Sequence, residues 1–465
     1  MKKILYSVLI LLGMGLSSCN DWLDVAPETE KDKEDIFSKE EGYKQVLTGA
    51  YIRLKKSNLY GKEMVCGTVE KLAQHWNTSS KDPFVNYDYR NMSVESAVAN
   101  LYNNLYKAAA DVNGLLETID ANEGVFKENH YELVKAEALA VRAFVHFDVL
   151  RLFGPMPNNI PSDPILPYVT EVKNTPNTKI SYKEFVSSLL KDLDEAELLF
   201  KDNDPICKNS LKKLNQLPAG SDRFWGYRQM RMNYYAVCAM KARLYLWNGD
   251  KAEALKYAKI VMDAKDPDGN AMYRLGNSDD CARKDLTFST EHIFNLNIHD
   301  MATTLGTGKT FEKDQKELTS RLYKNQNPTD IRFKHMWVSE KESYWVNHFY
   351  HTKYVQDDKM PEMSKNALPM IRLYEMYLIA MECSPLSVAE DLYKSMSVAR
   401  DIEPVKIESE EDLRELLILE YNKEFYGEGQ AFYAYKRLGA KEIIFTAEPG
   451  SAETYVIPLP LQENI

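Results

Sequence analysis

The chain has 465 residues and a formal net charge of −11, with 58 Lys and Arg against 69 Asp and Glu. The basic residues are scattered, and nucleic acid wants a concentrated basic surface, so that partner is not expected. At this length a folded chain buries roughly three quarters of its unfolded surface, enough for a large core.

Lys2 and Lys3 precede an apolar run from Ile4 to Leu16, which closes on Leu16-Ser17-Ser18-Cys19. A charged start, a short apolar segment and small residues at a cleavage point read as an export signal over 1–18. The run is too short for a spanning helix, which needs ~20 apolar residues, and no later stretch reaches that length. The ending looks like a bacterial lipobox, which would make Cys19 the lipidated first residue. The charges of Glu28–Asp35 favour a solvated arm, taken as 19–40, between lipid and fold. Five cysteines then remain, an odd number without a Cys-x-x-Cys pair, so neither a disulfide framework nor a zinc knuckle is expected. Cys238 and Cys383 sit in helical patterns, where a small buried hydrophobe is the natural role.

Glu41 to Leu54 places Val46, Ala50 and Leu54 on one face and predicts the first scaffold helix. From Tyr60 to Met92, His75-Trp76-Asn77, Tyr87, Tyr89 and Arg90 stand among Gly, Asn, Ser and Asp, the composition of a long ordered loop. Loops of this length in a compact domain usually carry function. A helical pattern resumes over Ala97–Ile119. Ala136–Pro157 then places Ala140, Ala143, Phe144, Phe147 and Leu150 at steps of three and four, giving one apolar face that ends at Gly154-Pro155. An amphipathic helix follows over Tyr182–Phe200. Asn233–Ala264 reads as a helix pair around an Asn248-Gly249-Asp250 turn, and its small residues resemble a tetratricopeptide repeat. A similar pair is predicted over Pro369–Arg400, where Arg372 and Glu375 are candidates for structural ion pairs with adjacent helices. Between the pairs, Asp266–Asn366 carries turns, the alternating Ile293–Ile298 and an aromatic cluster, which predict loops with short strands.

The Ala136–Pro157 stretch, with its alanine-rich start, Phe-x-x-x-Leu spacing and Phe-Gly-Pro-x-Pro exit, resembles the signature helix of the SusD/RagB family of outer-membrane nutrient-binding lipoproteins. Leu368–Cys383 and Leu413–Gly439 resemble two further signatures, with Asn422 standing where the family often carries a basic residue. Glu291–Leu296 and Asp330-Ile331-Arg332 occur where relatives carry a strand and an Asp-Pro-Arg turn; Ile331 in place of proline leaves that turn open. The resemblance implies a mainly all-α fold: four tetratricopeptide-like helix pairs over 41–465, with loop excursions at about 56–95 and 266–366 and a few short strands. It also implies a non-catalytic lipoprotein on the outer face of the outer membrane. That protein would bind a glycan or, as in the RagB type, a peptide, and present it to a SusC-like TonB-dependent transporter.

Other chemistries are weaker. Gly306-Thr307-Gly308-Lys309-Thr310 resembles the end of a phosphate-binding loop, but Thr303 occupies the position of the required first glycine. His335, His348 and His351 lack acidic or cysteine ligands at a recognised spacing and read as surface histidines; no metal and no cofactor is expected. Asp266–Asn270 lacks the full calcium-loop series and reads as a tight turn. Paired carboxylates of a surface glycoside hydrolase stay open, although no Gly-x-Ser-x-Gly or His-Glu-x-x-His motif supports catalysis. What remains is a recognition surface, since aromatic faces stack on sugar rings or peptide groups. The candidate ligand-binding residues are the loop residues Trp76, Asn77, Tyr87, Tyr89, Trp337, Tyr344 and Trp345.

Overall fold

Residues 33–173, 175–305, 311–324, 328–341 and 347–461 are described by a computed structural model of the chain. The export signal, Cys19, Gly306–Thr310, Tyr344 and Trp345 lie outside the described residues. The helices of the first half are α1 (Glu40–Leu54), the short α2 (Thr68–Leu72), α3 (Met92–Ile119), α4 (His130–Phe153), α5 (Tyr182–Asn203), α6 (Tyr234–Trp247) and α7 (Lys251–Met262). After a region of short elements come α8 (Ile331–Met336), α9 (Leu373–Glu382), α10 (Leu386–Ala399), α11 (Glu410–Glu424) and α12 (Ala431–Leu438). Each long helix packs on the next in the series α1, α3, α4, α5, α6, α7, α9, α10. These are four helix pairs in a row, the architecture the sequence implies.

Local signals set the helix ends. Asn91 accepts the Ser93 N–H at the start of α3, and Ser181 forms a reciprocal capping box with Glu184 at the start of α5. Gly249, at φ +82°, makes the left-handed turn between α6 and α7 that an L side chain resists. Residues 33–40, assigned to the solvated arm, already belong to the fold, because Phe37 is buried against Tyr43.

The single apolar face read for the signature helix needs correction. Every residue of α4 from Ala136 to Phe153 is at most 8% exposed. Its polar side chains tolerate burial because each is partnered. Glu137 accepts from Tyr51 Oη at 3.0 Å and from Arg228 and Arg231, and Arg142 grips Asp192 through two bonds of 2.7 Å. Asp148 accepts from Tyr60 Oη at 2.6 Å and pairs with Arg151. His146 donates from Nδ1 to the Arg142 carbonyl and accepts the Val169 N–H at Nε2, which fixes it as a neutral tautomer. Burial pushes its pKa down to about 3.

Two small antiparallel sheets lie in the loop-rich region. Strand β1 (His292–Asn297) pairs with β5 (Ala367–Arg372), and β4 (Asn347–His351) runs between β2 (Glu312–Asp314) and β3 (Trp337–Lys341). Pro369–Arg372, read as the start of a helix, is therefore strand. The six residues of β5 are all buried, and a fully buried strand loses the alternation that would mark it in sequence. Asp330 caps α8 by accepting the Arg332 N–H, which resolves the turn left open by Ile331. Asp266 Oδ1 accepts the N–H groups of Asp268 and Asn270, a tight turn as expected. Cys66, Cys207, Cys238, Cys281 and Cys383 are all free thiols.

A buried charge network joins these parts. Glu424 accepts from Arg372 and Arg400 at 2.7 Å each and from Arg332 at 3.2 Å; Glu291 accepts from Arg372 and Arg400. Glu428 accepts from Arg372 and Lys353, and Glu420 from Arg332, Lys423 and the Tyr374 hydroxyl. With the Asp330–Arg332 pair, five acids balance five bases. Burial would raise the Glu420 carboxyl, but Arg332 and Lys423 outweigh burial and hold it down at about 2. Glu375 bonds Arg243 instead of joining Arg372. Removing one charge strands its partners in the interior, so Glu424→Gln is expected to cost about 3–5 kcal/mol of stability, read by chemical denaturation.

A second buried charge closes the signature helix. Lys436 Nζ donates to the carbonyls of Leu152 and Gly154 at 3.0 and 2.7 Å, filling acceptors that the end of α4 leaves open. Burial pushes its pKa from 10.5 down to about 7. Between those values the unfolded chain holds a proton that the folded chain has released, so unfolding takes up a proton and stability rises with pH. Relative to Lys436→Met, the wild type is expected to gain up to ~1.4 kcal/mol per pH unit above pH 7 in denaturation titrations. A gap that does not change with pH would contradict this.

Candidate functional site

The long loop between α1 and α3 is held from below by one carboxylate. Glu70, fully buried on α2, accepts the N–H groups of Gly427 and Gly429 at 3.0 and 2.7 Å and faces His75 Nδ1 at 2.5 Å. The two glycines have φ +76° and +70°, and a Cβ on Gly429 would lie 2.2 Å from the Met64 carbonyl oxygen. The Gly-Glu-Gly of the C-terminal signature is thus the chain wrapping around Glu70. His75 Nε2 meets Asn422 Oδ1 at 2.8 Å, and Tyr435 Oη donates to the same oxygen. Asn422 therefore reaches Glu70 through His75.

Immediately after this anchor comes Trp76. Its Nε1 donates to the Cys66 carbonyl at 2.8 Å, its ring stands edge-on to Phe311, and its surface is half-buried. The Lys71 ammonium lies 4.4 Å from the Trp76 ring centroid and 4.9 Å from that of Phe84. Lys313 on β2 is buried and donates to the carbonyls of Gln74 and Trp76 at 3.2 and 3.3 Å. Gln74 sits at φ +63°, unusual for a residue with a side chain, and its amide donates to the Phe84 carbonyl. Burial pushes the Lys313 ammonium down to about 8, against the pull of Glu317 and Asp314.

A cleft of about 820 Å³ opens on the far side of Lys71 from Trp76, which is not itself part of its lining. Lys71 and Phe84 form the wall nearest the tryptophan, and Ser57, Asn58, Ser93 and Asn100 supply hydroxyl and amide groups farther along. The volume falls in the range of small-molecule sites, and the lining mixes a few apolar surfaces with many hydrogen-bonding groups.

The sequence-predicted site residues divide. Trp76 and Asn77 reach the surface, Trp76 half-buried and Asn77 exposed. Tyr87, Tyr89 and Trp337 do not, which corrects their reading as exposed binding aromatics. Tyr87 donates to the Leu72 carbonyl, Tyr89 to the Thr454 carbonyl and Trp337 to Tyr323 Oη, so each ring anchors a loop to the core. Tyr344 and Trp345 fall in sequence between β3 and β4, outside the described residues. His351, read as a surface histidine, is buried between Trp337 and Tyr426, and burial depresses its pKa; His348 pairs with Glu312 on β2. Among the described residues no cluster of His, Cys, Asp or Glu is arranged to hold a metal ion. Lys71, Phe84 and Lys313 were not legible as site residues, because a single lysine or phenylalanine carries no pattern.

Residues 21–246 match a family described as SusD-like, starch-binding and associating with the outer membrane. Two SusD-like proteins of Formosa agariphila are 23% identical over 159 residues and 28% over 200, which is 32% and 42% of this chain. The chain matches only 30% and 37% of those relatives' own lengths. A SusD superfamily structure from Bacteroides thetaiotaomicron superposes with a TM-score of 0.67 at 17% identity, covering 92% of this chain and 97% of that one. A SusD-like carbohydrate-binding protein from Bacteroides vulgatus gives 0.63 at 18% identity, covering 86% and 84%. At such identities the superpositions establish the fold. Among the described residues no helix is long and apolar enough to cross a membrane.

Lys313 is expected to position Trp76. Lys313→Met should speed hydrogen exchange of the 74–77 amides by about 10-fold, the loss of one to two buried bonds, while distant helix amides change less.

Proposed function

Because this chain is a SusD-like family protein, we propose that it captures a glycan at the outer surface of the outer membrane, without catalysis, and delivers it to a SusC-like TonB-dependent transporter. In this reading residues 1–18 are removed, Cys19 carries the lipid, and 41–465 form the binding body. The family's description as starch-binding and outer-membrane-associated supports both the ligand class and the location.

One observation carries the ligand assignment: a rigidly held, half-buried tryptophan across Lys71 from a polar cleft. Sugars present apolar C–H faces and a rim of hydroxyls, so their recognition needs an aromatic surface together with many donors and acceptors. Trp76 supplies the surface, and the cleft side chains supply the donors and acceptors. Asn77, together with Tyr344 and Trp345 of the β3–β4 connection, completes the proposed contact set. The series of helix pairs is the proposed transporter-facing surface, since a stacked scaffold offers broad, stable faces.

Calorimetric titration with a panel of oligosaccharides and peptides tests this. A saturable glycan response that Trp76→Ala weakens by about 10-fold or more, without a change in helical content, is expected. Undiminished affinity in that variant would remove Trp76 from the site, and a response to peptides alone would move the protein to the RagB-type ligand class.

A further inference from the structure

Four charged side chains line the cleft, and they are not equivalent. Glu63 Oε2 accepts the Thr68 N–H at 3.0 Å and the Thr68 hydroxyl at 2.6 Å, where α2 begins. Asp82 Oδ1 accepts the Phe84 N–H at 2.9 Å. Each carboxylate thus spends one oxygen on the loop's own donors.

The two lysines are not committed in this way. Among the described residues no carboxylate lies within 4 Å of the Nζ of Lys62 or Lys71, and no protein oxygen accepts a hydrogen bond from either. Lys71 is nonetheless held in place, between the rings of Trp76 and Phe84. An aromatic face attracts the ammonium but takes up none of its three N–H donors in an ordinary hydrogen bond. The wall therefore presents a fixed cation with its donors free, and a second cation in the same cleft.

We propose that this cleft selects an acidic oligosaccharide, one that bears carboxylate or sulfate groups, with Lys71 and Lys62 receiving the anion; this rests on the glycan reading above. A hydrogen bond from an ammonium to an anionic oxygen is roughly twice as strong as one between neutral groups, so the charged sugar gains where a neutral one does not. An ammonium is a compact point charge without the planar fork of arginine, and so accepts carboxylate and sulfate alike. The net charge of −11 over the whole chain is screened beyond about 8 Å, so the cleft's own two lysines and two carboxylates set the local field, and the lysines are the groups whose hydrogen-bonding capacity is unspent.

The test titrates the full chain calorimetrically with three probes of matched length: an oligogalacturonate, a sulfated galactan oligosaccharide and a neutral malto-oligosaccharide. At least one acidic probe is expected to bind about 10-fold or more tightly than the neutral one, and which of them does so distinguishes carboxylate from sulfate. That preference should shrink between about 0.05 and about 0.5 M salt. Lys71→Gln should erase the preference and Lys71→Arg retain it; Lys62→Gln, which leaves the Trp76–Phe84 sandwich untouched, should reduce it. Equal affinity for acidic and neutral probes, or a preference that survives both glutamine substitutions, overturns the inference while glycan capture stands. Failure of all three probes to bind overturns both.

Discussion

The buried charge network around Glu424 is the constraint on which the rest of this structure depends. Its members come from segments distant in sequence: Glu291 just ahead of β1, Arg332 on α8, Lys353 after β4, Arg372 at the end of β5, Arg400 after α10, and Glu420 to Glu428 along and beyond α11. Burying one such ion costs several kcal/mol, and only a near-complete set of partners offsets that. The loop-rich insertion must therefore close onto the last helix pair in one register, because any shift would strand a charge. Apolar packing would tolerate sliding at lower cost; five acids matched to five bases do not.

The network also reaches the loop that carries Trp76. Glu428 holds Arg372 and Lys353, while the glycines on either side of it turn their N–H groups onto Glu70. Glu70 in turn faces His75, the residue before Trp76. Five consecutive residues, Glu424 to Glu428, thus connect the charge network to the loop anchor, and Lys313 fixes the same loop from the β2 side. An aromatic platform on a loop loses binding energy if the loop must be ordered on association. Here the ordering is done in the folded chain.

The scaffold was largely legible in the sequence because its signals are local. The Ala and Leu periodicity of α6 and α7 and their Asn-Gly-Asp turn set both helices and the connection between them. The same logic misled at Pro369–Arg372, where an apolar run leading into a helix reads as helix although its backbone pairs with β1. At the site, sequence placed Trp76 and Asn77 in a loop correctly, but it could not tell them from Tyr87, Tyr89 and Trp337. All five are polar-tipped or amide residues among turn formers. A partner for the tip does not separate them, since Trp76 too donates to a carbonyl, that of Cys66. What does is how far the surrounding segments cover each ring, which buries Tyr87, Tyr89 and Trp337 and leaves Trp76 half-buried. That information lies in tertiary contacts alone.

The interior and the cleft consequently hold their polar groups in different ways. In the interior, a charge persists where an opposite charge completes it, as with Arg142 on Asp192; Lys436, which has only carbonyls for partners, has its pKa pushed down to about 7. In the cleft, Lys71 is restrained by ring faces that leave its donors unspent, and each neighbouring carboxylate gives one oxygen to the backbone. Full pairing at that point would stiffen the loop further but leave nothing for a ligand to complete. The aromatic sandwich achieves a fixed position without consuming hydrogen-bonding capacity, which is the property a binding surface needs and a core does not.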